Sequence, residues 1–85
     1  MADITIYSTT WCQFCKQEKA YLDSKGIKYN DVMVDLDNAK AEEMIRLSGQ
    51  MGVPFTVIKT EDGMEEHILG FNKPKIDAVL GLVAA

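Results

Sequence analysis

The sequence has few of the features that mark a membrane protein, a secreted scaffold or a nucleic-acid binder. No uninterrupted apolar stretch approaches the roughly 18 residues of a membrane-spanning helix. The start, MADITIYS, lacks the basic and apolar segments of a secretory signal. The nine Lys and Arg residues are scattered among thirteen Asp and Glu residues and form no basic stripe. We therefore expect a cytoplasmic protein without a membrane or nucleic-acid partner.

Cysteine and histidine are also scarce: the chain has two Cys, at positions 12 and 15, and one His, at position 67. A structural disulfide belongs to an oxidising compartment, whereas a cytosolic Cys-x-x-Cys pair is more often catalytic or metal-binding. A zinc site normally needs four ligands, and a c-type haem motif requires His where Lys16 stands. The pattern favours a redox-active dithiol with no bound metal. A zinc half-site and two structural core cysteines are the alternatives.

The hydrophobic pattern predicts one small domain over residues 1–85, with the order β-α-β-α-β-β-α. The predicted strands are 4–8, 27–36, 53–60 and 64–69, the first two helices are 13–25 and 37–49, and the third is capped by Asn72 and includes Ile76, Val79, Leu80 and Val83. The βαβ connection makes the first two strands parallel, and the Asp-Gly turn makes the last two antiparallel neighbours. The predicted fold class is therefore α/β, with a four-stranded mixed sheet flanked by three helices.

Strand one leads directly to the cysteines, so Cys12 falls at the predicted start of the first helix. Unpaired N–H groups and the positive end of the helix dipole favour a thiolate there, and the thiolate is the nucleophile in disulfide exchange. Cys15, one turn further along, is placed to resolve a mixed disulfide formed on Cys12. Lys16 and Lys19 add positive charge of the helpful sign.

The segments YSTTWCQFCKQEKAYLDSKGIKY and GVPFTVI resemble the thioredoxin superfamily, and the short chain is similar to a glutaredoxin or a glutaredoxin-like redoxin. The resemblance implies a thioredoxin-like fold of glutaredoxin type and a thiol–disulfide oxidoreductase that needs no bound cofactor beyond a redox-active Cys12–Cys15 disulfide. It also implies that Val53 and Pro54 form the substrate-binding element of the family, with a cis proline.

Two aromatic residues flank the nucleophile: Trp11, which is typical of thioredoxins, and Phe14, which takes the place of the usual glutaredoxin Tyr. Each offers a broad apolar surface for a docking partner, the alternative being that both pack on the domain itself. We assign both to substrate binding.

The resemblance leaves the electron source open. Thr9 stands where glutaredoxins carry a basic residue for glutathione, and Gly70-Phe71-Asn72-Lys73 lacks the second Gly and the Asp of their later binding element. GFNKPKI is instead similar to a stretch in redoxins that are recharged by thioredoxin reductase and supply ribonucleotide reductase. This similarity implies disulfide-containing protein partners and a role for Gly70 and Phe71 in binding them. Glutathione stays as the alternative reductant.

A second possible function is that of an iron–sulfur cluster carrier. Glutaredoxins without proline after the first cysteine can dimerise around a [2Fe–2S] cluster, and Gln13 is not proline. The weakened glutathione site counts against this alternative, and we expect a monomer.

His67 is interpreted as a partly exposed surface residue. Asp35 and Asp37 are interpreted as strand-end and capping residues, and no acid is assigned to proton transfer.

Overall fold

The computed structural model describes residues 3–81, which form a four-stranded mixed sheet with three helices. The elements are β1 (Asp3–Ser8), α1 (Gln13–Ser24), β2 (Asn30–Met33), α2 (Asn38–Ser48), β3 (Phe55–Lys59), β4 (Glu65–Leu69) and α3 (Lys73–Leu80). The strands lie in the order β2-β1-β3-β4. β1 is parallel to β2 and antiparallel to β3, and β4 is antiparallel to β3. The predicted element order, fold class and strand directions are confirmed.

Two apolar cores lie on opposite faces of the sheet, because successive side chains of a strand point to opposite sides. The first core, which we call the α1–α3 layer, comprises Ile4, Ile6, Leu22, Ile58, Ile68 and Ile76. The second, which we call the α2 layer, comprises Tyr7, Val34, Met44, Phe55 and Val57. Alternation along β1 and β3 thus holds α1 and α3 on one face and α2 on the other.

Local sequence signals set the helix ends. Asp37 caps α2, its side chain accepting a hydrogen bond from the backbone N–H of Lys40 at 3.2 Å, and Asn72 caps α3 by accepting one from Lys75 at 3.3 Å. Gly26 follows α1 with a φ of 69°, the left-handed conformation that glycine adopts without strain. The predicted caps at Asp37 and Asn72 and the stop at Gly26 are confirmed.

The second strand differs from its prediction. It ends at Met33 and lies at the sheet edge, and Leu36, expected to be buried on both faces, is 73% exposed. The reason is a turn, in which the N–H of Leu36 donates to the carbonyl of Met33 at 3.2 Å. Within the predicted apolar segment 32–36, Val34 is the residue that is buried in the core.

Val83, predicted in the last helix, lies outside the described residues. Within residues 3–81, none of the helices is long and apolar enough to cross a membrane.

Candidate active site

The two cysteines lie where the chain passes from β1 into α1. Cys12 is the N-cap of the helix, and its Sγ accepts a hydrogen bond from the backbone N–H of Cys15 at 3.1 Å. The two residues are joined as a disulfide, with their Cα atoms 5.2 Å apart. Cys12 is partly exposed, whereas Cys15 is fully buried. The pair is therefore asymmetric: one sulfur faces the surface and the other faces the protein interior.

A short loop holds Cys12 in place. The N–H of Cys12 donates to the carbonyl of Thr9 at 3.4 Å. Both the N–H and the Oγ1 of Thr10 donate to Oδ2 of Asp35, at 3.3 and 2.7 Å. The hydrogen bond from the Thr10 side chain lowers the pKa of Asp35 below its usual range. Asp35 thereby ties the loop before the dithiol to the segment after β2.

The start of α1 is electrostatically suited to a thiolate. Every residue of α1 is described, and its first turn carries no acidic side chain. The free N–H groups and the dipole of this turn favour negative charge on the capping sulfur. Lys16 is exposed on the same turn. Lys19, however, forms a 2.9 Å ion pair with Asp31. Its charge is therefore compensated and does not stabilise the Cys12 thiolate as expected.

The Val53–Pro54 peptide bond is cis, as the resemblance implied. Tyr7 of β1 is paired with Phe55 of β3, so Pro54 lies beside the end of β1 that leads to the dithiol. The carbonyl of Pro54 accepts a hydrogen bond from the N–H of Gly70 at 2.8 Å. The fold thus brings Val53, Pro54 and Gly70 to the same end of the sheet as Cys12.

The aromatic residues predicted to bind substrate have different environments. Trp11 is 68% exposed and Phe14 is 62% exposed, on either side of Cys12 in the sequence. Phe71 is instead half-buried, with its ring centroid 6.1 Å from that of Tyr21 and its side chain against the α1–α3 layer. Trp11 and Phe14 are thus available to a partner, while Phe71 contributes to packing.

The single histidine has a structural environment. Nε2 of His67 lies 2.7 Å from Oε2 of Glu65, and the ring packs edge-on against Phe55 with centroids 5.5 Å apart. Its half-buried position agrees with the predicted surface strand residue. Among residues 3–81, no three His, Cys, Asp or Glu side chains are grouped so that they could hold a metal ion.

Sequence reasoning missed Glu18, whose side chain is completely buried. Its Oε2 accepts a 2.5 Å hydrogen bond from Oγ1 of Thr56, while Oε1 has no hydrogen-bond partner within residues 3–81. Burial raises the pKa of Glu18 to about 7, with the Thr56 hydrogen bond opposing the change. Cys15, Glu18 and Leu22 are the three buried residues of α1, and their spacing of three and four is the signal that could have identified Glu18.

A family model described as Glutaredoxin matches residues 4–62. An uncharacterized glutaredoxin-like 8.6 kDa protein in the rubredoxin operon of Clostridium pasteurianum is 47% identical over 77 residues, covering 91% of this chain and 96% of that protein. The chain belongs to the glutaredoxin family. Glutaredoxin 3 of Escherichia coli is 43% identical over 54 residues, a match that spans 64% of this chain and 65% of that protein. The crystal structure of Methanosarcina acetivorans methanoredoxin superposes with a TM-score of 0.79 at 26% identity, covering 93% of this chain and 84% of that one.

Within this glutaredoxin-family chain, the positions expected to hold glutathione are poor in available charge. Thr9 is 7% exposed, and its Oγ1 has no hydrogen-bond partner among the described residues. Nζ of Lys73 lies 5.0 Å from the centroid of the Tyr21 ring, a cation–π contact. The cation nearest the start of α3 is thus already engaged within the protein.

Proposed function

We propose that this protein is a dithiol–disulfide oxidoreductase that reduces disulfides of partner proteins, with Cys12 as the nucleophile and Cys15 as the resolving thiol. The observation that carries the proposal is the asymmetry of the pair. Cys12 is the partly exposed cap of α1, and Cys15 is fully buried one turn later. A partner disulfide can reach the first sulfur, whereas the second can reach only a disulfide already formed on Cys12.

The surroundings favour a protein as the substrate. Trp11 and Phe14 are exposed beside the nucleophile, and aromatic residues are enriched in protein–protein interfaces. Val53, next to the cis proline, is half-buried at the same end of the sheet. In this proposal Trp11 and Phe14 contact the partner, and the half-buried Val53 and Gly70 present backbone to it. Pro54 is fully buried and holds Val53 in position through the cis peptide bond. Phe71, which follows Gly70 and packs against Tyr21, helps to hold this surface in place.

The preferred electron source is a thioredoxin reductase, because the glutathione-binding positions lack available cations. Thr9 replaces the expected basic residue, and Lys73 is engaged with Tyr21. A redoxin supplied in this way would serve a cytoplasmic enzyme that forms a disulfide in each catalytic cycle, such as ribonucleotide reductase. It would act as a monomer with the Cys12–Cys15 disulfide as its only redox group.

The test compares two reducing systems on one protein disulfide. The protein is coupled either to thioredoxin reductase with NADPH or to glutathione with glutathione reductase, and NADPH consumption is followed. We expect faster turnover with thioredoxin reductase. Turnover only through glutathione would contradict the preferred electron source, and turnover through neither would contradict the proposed activity. In the latter case, a coloured dimer after reconstitution with iron, sulfide and glutathione would instead support the cluster carrier.

A further inference from the structure

We propose that Glu18 accepts the thiol proton of Cys15 during resolution of the mixed disulfide and returns it when the dithiol is regenerated. This inference rests on the proposed function and assigns the proton step within it. Glu18 and Cys15 lie three residues apart on one face of α1, and both are fully buried. Residues at this spacing are neighbours on a helix surface. A buried thiol that must ionise therefore has a buried carboxyl beside it.

The surroundings of Glu18 do not suit a purely structural carboxyl. The side chain is completely buried on the helix that contributes Leu22 to the α1–α3 layer, whose buried members are all aliphatic. A buried carboxyl is costly unless its oxygens are hydrogen-bonded. Thr56 satisfies Oε2 alone, and Oε1 has no partner within residues 3–81. One carboxylate oxygen is thus held in place while the other stays available to take a proton.

Lys16 of α1 is exposed to solvent, and the ionisable residues Lys19 and Tyr21 have partners of their own. Lys19 pairs with Asp31 on the β2 side, and the hydroxyl of Tyr21 donates to Asp77 of α3. The buried side chains that β1, β4 and α3 contribute to this layer are isoleucines, and the half-buried Tyr21 and Tyr29 are the ionisable residues packed against it. Thr56 of β3 does not ionise. Burial is accordingly the cause of the raised pKa of Glu18, about 7, and the Thr56 hydrogen bond opposes the rise. A proton acceptor works best when its pKa is close to the working pH.

The proposed step balances as follows. The Cys12 thiolate attacks one sulfur of the substrate disulfide, forms the mixed disulfide and releases the other sulfur as a thiolate, which takes a proton from solvent. Cys15 then gives its proton to the Glu18 carboxylate and attacks Sγ of Cys12. The Cys12–Cys15 disulfide forms, the second substrate thiolate leaves, and two electrons have passed to the substrate. When a reductant thiolate later attacks Cys12, Cys15 leaves as a thiolate and recovers the proton from Glu18.

The main experiment separates the two chemical steps by single-turnover kinetics on a peptide disulfide. The first step is measured in the Cys15→Ser background, with and without Glu18→Gln, and we expect the two rates to agree. Resolution is measured with both cysteines present. Positioned proton transfer typically contributes 100-fold or more, so Glu18→Gln should slow resolution at pH 7 by at least about 10-fold. The exposed carboxyl change Glu42→Gln is the matched control and should alter neither step.

The pH profile distinguishes proton transfer from a structural role. In the parent protein the resolution rate should rise with an inflection near the pKa of Glu18, about 7. In Glu18→Gln this inflection should disappear, and the deficit should shrink at alkaline pH, where Cys15 ionises without help. A parent-like profile in Glu18→Gln would overturn the proposal. Failure of the Cys15→Ser variant to form any mixed disulfide on Cys12 would instead overturn the proposed function.

A second variant keeps the test decisive if Glu18→Gln does not fold. Thr56→Val removes the hydrogen bond that lowers the pKa of Glu18, and it keeps a side chain of the same shape. The inflection in the resolution rate should therefore move to higher pH. An unchanged inflection in Thr56→Val would contradict the assignment of that inflection to Glu18.

Discussion

The outer and inner halves of the dithiol site differ in solvent exposure and in the type of side chain they contain. The outer half, consisting of Trp11, Cys12 and Phe14, is open to solvent and rich in aromatic surface. The inner half, consisting of Cys15, Glu18 and Thr56, is fully or almost fully buried and contains the buried carboxyl of α1. In the mechanism that we propose, docking and attack belong to the outer half, while proton transfer and product release belong to the inner half.

The largest expected effect comes from the outer sulfur. Cys12→Ser should reduce turnover of a protein disulfide to the rate seen without the protein, because serine supplies no thiolate for exchange. The matched change Cys15→Ser should also stop turnover, but it should leave a stable mixed disulfide on Cys12 that mass spectrometry detects. A mixed disulfide of equal yield on Cys15 in the Cys12→Ser variant would remove the distinction between the halves.

The inner half should make stability depend on pH. The pKa of Glu18 is raised from 4.5 to about 7 in the folded protein. Between these values the folded state holds a proton that the unfolded state has lost, so stability present below pH 4.5 is lost as pH rises to about 7. At about 1.4 kcal/mol for each pKa unit, the loss amounts to about 3 to 4 kcal/mol.

Urea denaturation between pH 4 and 8 measures this loss as the free energy of unfolding. The decrease in the free energy of unfolding with rising pH should be smaller in Glu18→Gln and unchanged in the exposed control Glu42→Gln. Equal slopes in all three proteins would show that Glu18 has an ordinary pKa.

The exposed aromatic residues of the outer half should affect the binding of a protein substrate more than the rate of disulfide exchange. Truncating an interface tryptophan commonly costs more than 1 kcal/mol, so Trp11→Ala should raise KM for a protein disulfide by roughly 10-fold. Turnover of a small disulfide should change little, because it has no docking surface to lose. Met64→Ala removes another exposed apolar residue, 57% exposed in the turn between β3 and β4, and is the control. Equal effects on small and protein disulfides would argue against a docking role.

The smallest effect concerns a residue that belongs to neither half. Asp37 caps α2, and loss of such a cap typically costs about 1 kcal/mol. Asp37→Ala should therefore lower the free energy of unfolding by about that amount and leave the exchange rate of the folded protein unchanged. A slower exchange rate at temperatures where the variant is folded would show that α2 is coupled to the site.

The sequence patterns predicted the fold closely where local and tertiary preferences agree. The β-branched first strand, the helix stop at Gly26 and the cap at Asp37 each specify their structure locally. Leu36 shows where this reasoning ends: its apolar run fits a buried strand, but a turn after Met33 at the sheet edge exposes it. Edge position is a property of strand order, which the pattern of one segment does not contain.

The sequence predicted the outer half of the candidate site and Cys15 of the inner half, but it did not identify Glu18 and Thr56. Cys-x-x-Cys after a strand indicates a nucleophile and a resolving thiol, and exposed aromatics beside it indicate a docking surface. Glu18 interrupts the apolar face of α1 in the sequence, and an acidic residue at such a position is ordinarily expected to be exposed. Its partner Thr56 lies 38 positions away, and only the assembled sheet brings the two together.

The division of labour between the two sulfurs can be measured directly by limited alkylation of the reduced protein. Iodoacetamide is added below stoichiometry at pH 7, and mass spectrometry of peptides reports the rate at each cysteine. Because Cys12 is the partly exposed helix cap and Cys15 is fully buried, we expect Cys12 to be alkylated many times faster. Equal rates, or faster alkylation of Cys15, would contradict the assignment of attack to the outer sulfur and resolution to the inner one.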